Sequence, residues 1–198
     1  QGAYEQEALY WYPRQMSTFD VTGQQFEKTF SILYRSVTGA TSPLTYIEEK
    51  EKKGEPVFAN MTENDKKTLA RQTGELYFMR GYTYWLISRA FVAPYDPAGG
   101  EGNNRKFIPL INRLDYSQES ARNPYMGTVE EVYDQMLSDF TKAKNLMPED
   151  YFVRGRANKF SAAMMLMRVK WLMGDKDGAL EEANFVITKA EAGIAPFD

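Results

Sequence analysis

Trp171-Leu172-Met173-Gly174-Asp175-Lys176-Asp177-Gly178-Ala179-Leu180-Glu181-Glu182-Ala183 is the stretch that decides the fold. It reads as one helix stopping, a tight corner, and a second helix starting at once. Gly174 suits the left-handed residue that closes a helix, and Asp175 can accept a backbone N–H bond at the start of the next. Ala179 and Ala183, one turn apart, let the second helix lie close against the first. Upstream, Phe160, Ala163, Met164, Met167 and Trp171 recur at helical spacing beside a second apolar row of Ala162, Leu166 and Val169. Asn158 or Ser161 starts that helix. Met165 is the methionine that falls off both rows. Downstream, Leu180, Val186, Ile187 and Ala190 complete the partner.

The corner has the Gly-x-x-x-x-Ala form of a tetratricopeptide-type hairpin, an architecture that builds binding surfaces. A second unit is legible upstream. Thr128-Val129-Glu130-Glu131 is a capping box, followed by a single stripe of Val129, Val132, Tyr133, Met136, Leu137, Phe140, Ala143 and Met147. Pro148 stops it. Phe140-x-x-Ala143-x-x-x-Met147-Pro148 resembles the second helix of a tetratricopeptide unit. Its first helix is then the run from about Glu63 to Val92, capped within 60–64 and apolar on nearly every face between Leu76 and Phe91, as a central helix would be.

Residues 93–127 break the regularity with Pro94, Pro97, Gly99, Gly100, Gly102, Pro109, Pro124 and Gly127. A connection this long is uncommon in a compact domain, yet Phe107, Ile108, Leu110, Ile111, Leu114 and Tyr125 make it too apolar for a disordered linker. It reads as an ordered excursion inserted within one repeat. Its oxygens from Asp96 to Asn104 do not follow EF-hand spacing, and the piece reads as a solvated turn. Nearer the N-terminus, Phe26, Phe30, Leu33, Tyr34 and Val37 predict a helix from about Gln24 to Gly39. A separate charged helix follows from Tyr46 to Glu55, where Glu48/Lys52 and Glu49/Lys53 pair at i,i+4 on a solvated face. The whole of 1–198 reads as a single all-α domain of tetratricopeptide-like hairpins with this long ordered insertion.

Composition excludes several functions. The net charge of −3 provides no field for nucleic acid. The longest apolar run, Ala162 to Met167, is too short for a bilayer. The chain has no cysteine and no histidine, which removes thiolate chemistry, sulfur-ligated metals, the commonest zinc ligand and a Ser-His-Asp triad. No cofactor is expected. Carboxylates lie mostly on solvated faces, with no raised-pKa acid placed beside a second carboxylate as a glycosidase needs. Aromatic residues make up 14% of the chain. Most such rings pack between helices, but a subset on a surface platform would suit sugars, which offer an apolar C–H face and hydroxyl edges.

Gly74-Glu75-Leu76-Tyr77-Phe78-Met79-Arg80-Gly81-Tyr82-Thr83-Tyr84-Trp85 resembles the G-E-A-x-F-x-R-A-x-x-Y-(F/W) helix of SusD/RagB-type proteins. Gly155-Arg156-Ala157-Asn158-Lys159-Phe160-Ser161-Ala162-Ala163 resembles their G-R-x-(T/N)-K-x-A-A-x-x-L segment. Val129-Glu130-Glu131-Val132-Tyr133 through Ala143 is similar to their V-x-E-V-Y helix. Tyr34-x-x-Val37-x-x-Ala40 matches a fourth pattern, with Thr41 in place of its Asn.

The resemblance implies a non-catalytic, lipid-anchored nutrient-binding protein on the outer membrane of Bacteroidetes-type bacteria. Such proteins hand glycans, or sometimes peptides, to a SusC-like TonB-dependent transporter. It also implies that this chain is the N-terminal half of a longer protein, beginning downstream of the lipidated cysteine. An aromatic seven residues before the Ile of the fourth pattern contributes to a sugar platform in some members, which points to Phe30 here. Tyr10-Trp11-Tyr12-Pro13 is the other aromatic concentration outside the periodic helices. There Trp11 would stack a pyranose face, while Tyr10 or Tyr12 would bond its hydroxyls. Arg80 and Arg156 fall in scaffold blocks and read as structural pairs. The competing reading is a tetratricopeptide scaffold gripping another protein, which needs an open groove that the apolar helices around Gly74–Val92 and Phe160–Trp171 do not suggest.

Overall fold

The computed structural model describes residues 24–193 apart from 56, 58, 59 and 116. Six helices account for most of the described chain: α1 Gln24–Lys52, α2 Glu63–Phe91, α3 Gln118–Arg122, α4 Val129–Leu146, α5 Lys159–Leu172 and α6 Lys176–Glu191. Two short strands, β1 Lys106–Pro109 and β2 Met126–Thr128, and a 3-10 turn at Glu101–Asn104 fall between α2 and α4. The fold is all-α in class. The chain divides into two compact units, residues 1–32 and 33–198. Of the first, the opening turns of α1 are described, with Phe26 and Phe30 half-buried.

In the second unit α2 packs on α4, α4 on α5 and α5 on α6, the sequential stacking of helical hairpins. The starts of these helices follow from local chemistry. Thr62 accepts from Asp65 N, Thr128 and Glu131 form the capping box, and Asp175 accepts from Gly178 N. Asn158 and Ser161 are both used, as cap and third helical residue of one box. Gly174 has φ +85°, and a Cβ there would lie 2.8 Å from Pro97 Cβ. That corner thus requires glycine for its backbone and for the loop pressed against it. Close approach of α2 and α4 depends on Gly74, where a Cβ would meet Met147 Cγ at 2.8 Å.

Two sequence expectations are corrected. The helices expected over Gln24–Gly39 and Tyr46–Glu55 are one helix, α1, with Pro43 inside it. An internal proline costs about 3 kcal/mol. Val37, Ala40, Leu44 and Ile47 are all buried, on both sides of Pro43. At roughly 1.5–3 kcal/mol per large buried side chain they outweigh that cost.

Met165 is buried, whereas Trp171 is 61% exposed. With α4 on one side and α6 on the other, α5 is covered beyond its two rows. Trp171 sits in the last turn, on a face that neither neighbour covers.

The central helix α2 is buried along most of its length, while Met79, Tyr82 and Leu86 are exposed. Their spacing places them on one face, opposite the Gly74, Tyr77, Gly81, Tyr84 face that packs inward.

Candidate functional site

The segment from Arg105 to Thr128 is held by polar side chains from the helices around it. β1 and β2 pair antiparallel, Lys106 opposite Thr128 and Ile108 opposite Gly127, with an irregularity at Phe107. Beyond that short ladder, Tyr34 Oη donates to Pro109 O at 2.6 Å. Ile111 N donates to Tyr84 Oη at 2.7 Å, and Arg80 Nη1 donates to Asn112 O at 2.8 Å. Leu114 N donates to Thr45 Oγ1 at 3.0 Å. Thr41, in the position where the family pattern has Asn, donates to Val37 O at 2.7 Å and faces Ile111 O at 3.4 Å. Four backbone residues of an extended segment are thereby tied to α1 and α2, which satisfies groups that a helix or sheet would otherwise pair.

Arg80 is the deepest of these anchors. Its Nε and Nη2 form a two-point pair with Asp139 of α4 at 2.9 and 2.7 Å, both side chains being almost fully buried. Gln135 donates to the same carboxylate at 2.9 Å. Burial pushes the Asp139 carboxyl above its ordinary value, while Arg80 and Gln135 pull it back. With both oxygens occupied by a cation and an amide, Asp139 is built to hold Arg80 in place. Arg156, the other arginine of the scaffold blocks, pairs with Glu75 at the surface.

Two depressions that share Leu114 open along this anchored segment, the second of them against α1. One, of about 370 Å³, is lined by residues 110–115 with Ser120, Pro124 and Tyr125. The other, of about 450 Å³, lies between Leu114 and Ser42, Pro43, Thr45, Tyr46 and Glu49 of α1. Tyr46 and Tyr125 are each 56% exposed. Tyr125 Oη donates to Glu131 Oε1 at 2.5 Å, and Lys106 Nζ lies 5.6 Å from the ring centre. Arg113 and Glu49 form an ion pair at 2.6 Å. Asp115 accepts from Ser117 N at 2.9 Å and from Ser117 Oγ at 3.1 Å.

A third concavity, of about 260 Å³, is lined by Trp85, Met167, Arg168, Trp171 and Leu172. It offers two indoles but a single polar side chain, a poor match for a ligand covered in hydroxyls.

Of the residues expected to bind ligand, Tyr10, Trp11 and Tyr12 lie outside the described residues. Phe30 is half-buried on α1. Neither Tyr46 nor Tyr125 was singled out as a ligand residue in the sequence. The available signal was that Tyr46 falls off the α1 face formed by Val37, Ala40, Leu44 and Ile47. Among the described residues no helix is long and apolar enough to cross a membrane.

Comparison with known proteins is consistent across sequence and structure. A SusD-like family model, described as starch-binding associating with outer membrane, matches residues 3–170. SusD-like protein P2 of Formosa agariphila is 31% identical over 130 residues, 65% of this chain and 23% of that protein. A SusD superfamily protein from Bacteroides thetaiotaomicron superposes with a TM-score of 0.64 at 23% identity, over 80% of this chain and 31% of the other. A laminarin-binding SusD-like protein superposes with a TM-score of 0.57 at 21% identity, over 80% of this chain and 29% of the other. The match therefore spans between 23% and 31% of the length of these relatives.

Proposed function

This chain belongs to the SusD-like family, and on that premise we propose that it binds glycans without catalysis at the outer face of the bacterial outer membrane. In this reading it is the helical N-terminal region of a longer, lipid-anchored protein that passes its ligand to a SusC-like TonB-dependent transporter. The observation that carries the reading is the family match across residues 3–170. The second unit supports it with a surface of the right chemistry, exposed tyrosine rings beside hydroxyl, amide and ion-paired groups. Trp11, with Tyr10, Tyr12 and Phe30, remains the platform that the family resemblance suggests.

Native affinity electrophoresis through gels containing a panel of polysaccharides tests the reading. Retardation by at least one glycan is the expected result. Migration unchanged by every glycan would turn the reading toward a peptide nutrient or a protein partner. Surface location is checked separately by adding protease to intact cells, where the native protein should be cut while periplasmic proteins survive.

A further inference from the structure

We infer that the paired depressions around Leu114, edged by Tyr46 and Tyr125, form a contact site for a neutral polysaccharide chain. The inference rests on the glycan reading above and adds which surface meets the sugar and what charge that sugar carries.

The first support is the pairing of apolar rings with hydrogen-bonding groups in one concave surface. Tyr46 from α1 and Tyr125 from the segment leading into β2 are more than half exposed. The depressions they edge are also lined by Leu114 and by the polar residues Asn112 and Ser120. A pyranose presents the complement, a face of C–H bonds ringed by hydroxyls, and stacking with edge hydrogen bonds is how aromatic surfaces hold it. Two depressions sharing one residue suit consecutive sugar units of a chain better than a single small molecule.

The second support is preorganisation. The Tyr125 hydroxyl is fixed on Glu131, the same carboxylate that accepts from Thr128 N at 2.8 Å to cap α4. A ring held by a helix cap has less rotamer freedom to lose on stacking. Beneath it, the backbone from Pro109 to Leu114 is tied down by Tyr34, Tyr84, Arg80 and Thr45. The floor of the site thus reaches back through Arg80 to the buried Asp139. This is more support than an exposed connecting segment needs for its own sake.

The third support concerns charge. Among the described residues the one cation lining the depressions, Arg113, is engaged by Glu49. Asp115 lines the same surface, and Glu131 stands behind Tyr125. Lys106 lies against the Tyr125 ring, so among the described residues carboxylates at the site outnumber cations, three to two. A sulfated or uronate chain would meet net repulsion there and would have to break the Arg113–Glu49 pair to gain a counter-charge. Neutral hydroxyls, by contrast, can donate to Glu49 or Asp115 and accept from Arg113 with that pair intact.

The test is affinity electrophoresis with starch, laminarin and xylan as neutral probes and alginate and carrageenan as anionic ones. Variants are Tyr46→Ala, Tyr125→Ala, the double variant, Tyr125→Phe and Trp11→Ala, each checked by thermal melting. Both tyrosines are exposed, so melting should hold. The wild type should be slowed by at least one neutral glycan. The double variant should lose at least about tenfold in affinity for that glycan, each single alanine should lose part, and Tyr125→Phe, which keeps the ring but frees it from Glu131, should lose less than Tyr125→Ala.

If the wild type is slowed and the double variant is slowed equally, the site assignment is overturned while the glycan reading stands. Loss confined to Trp11→Ala would then move the platform to the N-terminal tyrosine–tryptophan run. Slowing by the anionic probes alone would overturn the neutral-chain assignment. A wild type slowed by nothing overturns this inference together with the reading it rests on.

Discussion

The α5–α6 hairpin and the segment 105–128 are both well defined, for opposite reasons. The hairpin is specified within itself. Its caps bond residues three apart, its corner glycine adopts the conformation the turn demands, and its apolar rows face a partner that immediately follows in the chain. Residues 105–128 have one short irregular ladder and the five-residue α3 of their own, and the backbone from Pro109 to Leu114 is fixed largely from afar. Tyr34 reaches across 75 residues, Thr45 across 69 and Arg80 across 32. Local rules can therefore build the scaffold. The recognition surface needs the scaffold to exist first.

The largest way to break this contrast is Arg80→Met. It strips a buried carboxylate of its cation and releases the Asn112 carbonyl in one step. Breaking a buried pair by removing one partner costs roughly 3–5 kcal/mol, which urea denaturation at neutral pH would read directly. Asp139 can escape by taking up a proton, so the deficit should shrink as pH is lowered toward 5. A deficit that stayed constant with pH would show that Asp139 is not left charged. Asp139→Leu in the same chain should recover part of the loss, because two apolar groups replace a pair instead of orphaning half of it.

Tyr84→Phe separates the two regions more cleanly. The ring remains in its buried place, and Ile111 N loses the acceptor it meets at 2.7 Å. A buried donor left without an acceptor costs roughly 1–3 kcal/mol, and this part-buried one belongs at the lower end. Hydrogen exchange should show Ile111 and its neighbours opening faster while the amides of α5 and α6 keep their protection. Uniform acceleration across both would mean that the anchored segment and the hairpin unfold as one.

Asp175→Ala is the reciprocal experiment, removing a device the hairpin supplies to itself. Loss of an N-cap side chain costs about 1 kcal/mol, and here the cap bond is Gly178 N to Asp175 Oδ1 at 2.9 Å. The first turn of α6 should exchange faster, and glycan binding should be untouched. An effect on binding would tie the corner to the site, through the Pro97 contact with Gly174.

What could be read in advance divides along the same line. Asp175 and Thr128 with Glu131 could be assigned, and the start of α5 narrowed to Asn158 or Ser161, because each bond closes within three residues. The continuity of α1 could not, since Pro43 argues locally for a break and only tertiary burial overrules it. Arg80 could be assigned a structural role but not a partner, because Asp139 is 59 residues away on a stripe of otherwise apolar positions. The tyrosines at the site were hidden for a simpler reason. Tyr46 stands beside a run of charges, and Tyr125 in a stretch without periodicity. Their exposure is a fact about which neighbours fail to cover them.

The smallest expected effect concerns Glu48, which joins the end of α1 to the scaffold by the same kind of bond at intermediate burial. Tyr77 Oη donates to its carboxylate at 2.8 Å and Lys142 Nζ at 3.3 Å. Burial acts to raise this carboxyl, but the Tyr77 bond and Lys142 outweigh it and hold Glu48 below its ordinary value of 4.5. A carboxyl depressed by folding contributes stability that is complete above about pH 4.5 and is lost as pH falls through its lower folded value. Asp139, raised by burial, titrates with the opposite sign, so the acid limb of the wild type alone would mix the two. The difference in melting temperature between wild type and Glu48→Gln isolates one of them. It should be constant from neutrality down to about pH 5 and close progressively below pH 4.5, since both side chains are then uncharged. A gap that persisted unchanged at pH 3 would show that the contact depends on shape and not on charge. The end of α1 would then be joined to the scaffold as the hairpin is, by packing.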